Sequence, residues 1–97
     1  MPAYVLANVE VIDAAGFTPY REQVPATIAQ YGGKYLARGG PASAVEGTAS
    51  PKRVVLLEFP TMAMARAWLE SPEYKPLIDI RQRTAKTDIW LIEGIAP

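Results

Sequence analysis

The stretch RVVLLEFP, residues 53–60, constrains the fold more than any other. Val54, Val55, Leu56, Leu57 and Phe59 are apolar. Successive side chains of a strand point to opposite faces. Val55, Leu57 and Phe59 therefore point one way, and Val54, Leu56 and Glu58 the other. Both faces call for burial, and one carries a carboxylate. The chain has 97 residues, which predicts one domain, 1–97. A domain of that size buries roughly 60–65% of the surface its unfolded chain exposes. One modest core has two apolar faces to cover.

AYVLANVEVID, from residue 3, is a second strand rich in β-branched residues. Ala3, Val5, Ala7, Val9 and Val11 form a small apolar face suited to lie under helices. Tyr4, Leu6, Asn8, Glu10 and Ile12 form a half-polar one. In GFTPYREQVPATIAQYGG the residues Phe17, Tyr20, Val24, Ile28 and Tyr31 recur every three or four positions, the stripe of a helix. Pro19 suits a first turn. Pro25 lacks an N–H and biases Val24 away from the helical region, which predicts a kink or two pieces meeting near Val24. Gly32 and Gly33 end the element.

KYLAR is a short strand, and GGPASAVEGTASP a loop or irregular hairpin. KRVVLLEFP follows as a strand closed by Pro60. Thr61 caps a helix through TMAMARAWLES, with Met62, Ala65 and Leu69 inward and Trp68 at the edge. Ser71 is a fresh cap before Pro72, SPEYK makes a tight turn, and a short helix runs on through Leu77, Ile78 and Arg81. KTDIWLIEG is the last strand. The order βαββαβ is that of an α+β, ferredoxin-like fold: a four-stranded antiparallel sheet with its helices on one face. The other face, with Val54 and Leu56, has no cover left. Bare apolar surface of that kind marks an interface. A second copy packed sheet to sheet about a two-fold axis is the economical partner, with room for a small ligand between the sheets or between sheet and helices.

Ten basic and ten acidic residues cancel, so no electrostatic case exists for nucleic acid or an anionic membrane surface. No apolar run approaches the roughly 20 residues that span a bilayer. The first residues lack a charged n-region and cleavage site, so a cytoplasmic location is expected. The chain has no cysteine and no histidine, which excludes thiolate chemistry and an imidazole base. It contains no nucleotide-binding glycine motif, no metal-ligand spacing suggests a metal site, and no cofactor is expected.

YGGKYLARGG, RVVLLEFP, WLESPEYKPLIDIRQRTAK and IWLIEG, in that order and spacing, resemble the domain of unknown function 1330 family of the dimeric α/β-barrel superfamily. The resemblance covers nearly the whole chain. It implies a ferredoxin-like protomer that pairs through its sheet into a barrel. Relatives in the wider superfamily include cofactor-free monooxygenases, muconolactone isomerases and haem proteins, so fold alone does not fix function. Haem-handling members generally supply a histidine that this chain lacks.

Glu58 and Arg38 are the candidate catalytic pair. Lining a cavity, Arg38 would hold a carboxylate or enolate and Glu58 would abstract a proton; the alternative is a structural ion pair. Asn8 and Glu10 interrupt the even face of the first strand, as ligand contacts or as a solvated barrel mouth. Tyr20 and Tyr74 sit beside proline-marked bends and, with Trp68, would wall a pocket for a planar ligand; otherwise they fill the core. Arg81 could bind an anion or simply complement the helix dipole. These residues give two readings: a homodimer that binds a small acidic or aromatic molecule, with possible proton transfer, or a non-enzymatic dimerisation module. A cofactor-free oxygenase is a third.

Overall fold

A computed structural model describes residues 1–96. Strand β1 (Ala3–Val11) is followed by helix α1 (Ala14–Gln30), β2 (Lys34–Arg38), β3 (Arg53–Phe59), α2 (Met62–Leu69), α3 (Lys75–Thr84) and β4 (Ala85–Glu93). The strands form one antiparallel sheet in the order β2-β3-β1-β4, the ferredoxin-like arrangement that the βαββαβ order predicts.

Period-two alternation decides which face is buried. Ala3 and Val5 of β1 and Leu57 and Phe59 of β3 are buried on the inner face, against Val24 and Ile28 of α1, Ala65 and Trp68 of α2 and Leu77 of α3, and Val9 of β1 is buried with Phe17 of α1 and Ala85 of β4. Asp13 starts α1 by accepting a hydrogen bond from the Gly16 N–H (3.1 Å), and Thr61 starts α2 in the same way from Met64 (3.2 Å). Ser71 Oγ accepts from the Tyr74 N–H (3.1 Å) and donates to the Trp68 carbonyl (2.8 Å), joining α2 to the turn before α3. Gly32 leaves α1 with φ of 80°, a conformation that side chains with a Cβ resist.

Three local expectations are corrected. Pro19 is not in a first turn but inside α1, which starts at Ala14, and α1 is one element through Pro25, not two pieces meeting near Val24. Val24 and Ile28, on either side of that proline, are both buried in the core, and their packing holds the helix together where the local preference would end it. Trp68 is not at an edge but 2% exposed; it packs against Phe59 and Tyr74, and its Nε1 donates to Thr27 Oγ1 (3.0 Å).

The outer face is bare. The register aligns Ala37, Leu56, Leu6 and Trp90 in one row across all four strands, with Glu58, Tyr4 and Ile92 in the next. Trp90 is 52% and Ile92 59% exposed. Among the described residues, no helix is long and apolar enough to cross a membrane.

Candidate functional site

A cavity of about 50 Å³ lies between the inner face of the sheet and the helices. Val5 and Ala7 of β1 and Leu57 and Val55 of β3 make its floor, paired Val5 with Leu57 and Ala7 with Val55. Val24 and Ile28 of α1 stand over it. The space suits roughly four waters. That is far below the ~300–1,000 Å³ of pockets for drug-sized ligands, so an occupant is limited to about one ring.

One wall is aromatic. Tyr74 is 1% exposed and stacks on Trp68 with ring centroids 4.1 Å apart. Its hydroxyl lies 2.9 Å from that of Tyr20. Buried polar atoms are costly unless paired, and these two satisfy each other. One hydroxyl donates within the pair, which leaves the other with a proton to offer elsewhere. Burial pushes the Tyr20 phenol well above its ordinary pKa; Tyr74 adds to the shift, and the Arg81 guanidinium opposes it. At neutral pH the Tyr20 hydroxyl therefore keeps its proton and is not a base.

The cavity is also lined by three arginines: Arg21, Arg38 and Arg53. The Arg38 guanidinium lies 4.6 Å from the centroid of the Tyr35 ring, a cation–π contact. Arg53 packs over Gly39, where a Cβ would stand 2.5 Å from Arg53 Nη1; Gly39 has φ of 69°. Burial raises the Tyr35 phenol, while Arg38 and Arg53 both pull it down, so both cations act on the same ring.

Glu58 and Arg38 are not brought together. Simple alternation in KYLAR would place Arg38 on the Glu58 face with Lys34. A bulge between Tyr35 and Ala37 turns the strand, so Arg38 pairs with Val55 while Lys34 pairs with Glu58. Glu58 lies on the outer face, 3.3 Å from Lys34 Nζ. Asn8 is outer-facing too. It clamps the β2–β3 loop, accepting from the Lys52 N–H (2.7 Å) and donating to the Ser50 carbonyl (3.2 Å). Glu10 is exposed in the same shallow depression as Asn8. Tyr20, Trp68 and Tyr74 line the cavity, and Trp68 and Tyr74 also belong to the buried core. Arg81 stands close enough to Tyr20 to affect its ionisation, but it does not line the cavity, and its Nε is buried without a partner among the described residues.

Arg21 and Arg53 escaped the sequence reading. Arg53 had a signal: it shares the parity of Val55, Leu57 and Phe59, and so begins the inner face of β3. Arg21 had none, because its neighbour Tyr20 already satisfies the helical stripe. Among the described residues, no group of three or more carboxylate, histidine or cysteine side chains is placed to hold a metal ion.

No curated protein matches the chain. Its fold is similar to that of a protein of unknown function from Rhodopseudomonas palustris, RPA0582, with a TM-score of 0.78 at 18% identity, covering 99% of this chain and 84% of that one. It is also similar to a dimeric ferredoxin-like protein of unknown function from Jannaschia (TM-score 0.71, 12% identity, 97% and 100% covered). A third similar structure is SnoaB, a cofactor-independent oxygenase from Streptomyces nogalater (TM-score 0.69, 14% identity, 99% and 95% covered). At these identities the likeness is one of fold. Residues 2–95 match the family described as Domain of unknown function (DUF1330), and the chain belongs to that family.

Proposed function

We propose that the protein is a homodimeric α/β barrel that binds a small acidic or aromatic organic molecule between its sheet and its helices. The observation that carries the ligand is the Tyr20–Tyr74 hydroxyl pair, 2.9 Å apart, in the wall of a cavity with an apolar floor. A purely structural core would fill that space with side chains. The row Ala37, Leu56, Leu6 and Trp90 supports the dimer, since Leu6 and Trp90 stand exposed on it. The Jannaschia neighbour is itself described as dimeric.

Trp68 gives the test a local reporter. In a Trp90→Phe background, titration with single-ring acids and phenols should change Trp68 fluorescence saturably. Ala7→Phe, which fills the cavity from its floor, should abolish the change and leave the circular dichroism spectrum intact. No saturable change with any such compound would leave the dimerisation module as the better reading. Oxygen uptake with an added phenol would extend the binding reading to the cofactor-independent chemistry named for SnoaB.

Proton transfer by Glu58 would require a ligand on the outer face, at the trough that Tyr4, Lys34 and Glu58 line. Glu58→Gln decides between that role and a structural one. Lost turnover with unchanged melting supports a base. Altered melting alone makes the Lys34 pair structural.

A further inference from the structure

We infer that the ligand of the sheet–helix cavity is an aromatic monocarboxylate, bound with its ring on the apolar floor and its carboxylate on Arg21, Arg38 and Arg53. The inference rests on this cavity being the ligand site. In a chain whose formal charges sum to zero, the residues that line the cavity include three arginines and no aspartate or glutamate. None of the three is in a salt bridge among the described residues, where Lys34 and Glu58 form the ion pair.

Unpaired cations on a protein surface are ordinary when they are free to move. Two of these have a close packing partner. Arg38 lies over the Tyr35 ring. Arg53 occupies the space that a Cβ at Gly39 would take, and the left-handed backbone at Gly39 admits that approach only for a residue without one. Guanidiniums that already rest on a packing partner and lack a counter-charge are partly preorganised for an anion, because less side-chain entropy is lost on binding. Their planar fork matches a carboxylate bidentately. The floor of Val5, Ala7 and Leu57 offers nothing to an inorganic anion, so the ligand needs an apolar body. The space limits that body to about one ring, and Trp68, Tyr74 and Tyr35 favour a flat one.

Benzoate and its neutral isostere benzamide separate charge from shape. Calorimetric titration of the full chain should show benzoate binding ~10-fold or more tightly than benzamide, the difference of about one charge-assisted contact. Added salt should weaken benzoate only. Arg38→Gln and Arg53→Gln should each weaken benzoate ~10-fold and leave benzamide unchanged. Arg21 and Arg38 are exposed, so Arg21→Gln and Arg38→Gln carry the test if Arg53→Gln fails to fold. Equal binding of the two probes, or equal losses for both in the variants, overturns the carboxylate while leaving the cavity as a ligand site. Binding of neither probe also overturns it, and the fluorescence titration with phenols then decides separately whether the cavity binds anything.

Discussion

Tyr20 and Tyr74, 54 residues apart in sequence, share a hydrogen bond of 2.9 Å between their hydroxyls. The bond ties α1 to the turn that leads into α3, and it is the polar feature of an apolar wall. Removing one hydroxyl leaves the other without its partner; removing both leaves none. Tyr20→Phe and Tyr74→Phe should each cost about 1 kcal/mol of stability, and the double variant clearly less than the sum of the two. Urea denaturation of the four proteins measures the coupling. Strict additivity would show that the hydroxyls do not depend on each other.

The same pair predicts alkaline sensitivity. Burial, Tyr74 and Tyr35 raise the Tyr20 phenol, and Arg81 opposes them. In the unfolded chain a tyrosine ionises near pH 10. Above that pH the unfolded state sheds a proton that folded Tyr20 keeps, so the unfolded state gains. The stabilisation is fully present below pH 10 and is lost as pH rises toward the folded value, by up to about 1.4 kcal/mol per pH unit. Tyr20→Phe should flatten the decline in melting temperature between pH 10 and 11.5. An unchanged slope would mean that other tyrosines carry the effect.

Asn8 supplies both hydrogen bonds that hold the end of the β2–β3 loop to the sheet. Asn8→Ala should destabilise the fold by about 1 kcal/mol. It should also speed proteolysis and amide exchange in residues 40–52 ahead of the rest of the chain. Asn8→Asp keeps the acceptor for Lys52 but sets a carboxylate oxygen against the Ser50 carbonyl, so it should restore little. Loop exchange unaffected by either variant would remove the clamp.

The parts of this structure legible in the sequence are those where one period governs a whole element. Strict alternation in β1 and β3 places Val5, Leu57 and Phe59 inside and Leu6 and Leu56 outside, as found. Three further features depend on contacts that no local pattern records. The bulge between Tyr35 and Ala37 reverses the face on which Arg38 stands, and KYLAR contains no glycine to mark it. Pro25 signals a break that the packing of Val24 and Ile28 overrides. Tyr20 follows Pro19 and Tyr74 lies between Pro72 and Pro76, but their meeting is set by how α1 lies beside α3. The site is harder to read than the fold because its arginines come from α1, β2 and β3, one residue at a time.

The row Leu56, Leu6 and Trp90 predicts where association can be broken. Trp90→Glu places a charge opposite Leu6 on the central strand, and burying it without a partner is costly. Wild type should sediment as a dimer at micromolar concentration, and Trp90→Glu as a folded monomer with the same far-ultraviolet spectrum. A wild type that is monomeric and well behaved at that concentration would refute the dimer outright.

Gly39 links stability to the arginines. Its φ of 69° disfavours any side chain, and a Cβ there would stand 2.5 Å from Arg53 Nη1 and 2.9 Å from Arg53 Cζ. Gly39→Ala should cost roughly 1–2 kcal/mol from the backbone alone, with a smaller addition as the flexible Arg53 side chain gives way. Gly40 is its internal control: nothing lies within 4 Å of a Cβ built there, and its φ is not in the left-handed range. Gly40→Ala should change stability by no more than about 0.5 kcal/mol. Adding Arg53→Ala to Gly39→Ala removes the collision and leaves the backbone strain, so the double variant should recover part of the loss, as read from urea denaturation. If Gly39→Ala and Gly40→Ala prove equally mild, Arg53 is not held by Gly39, and its placement beside the cavity is a matter of side-chain freedom.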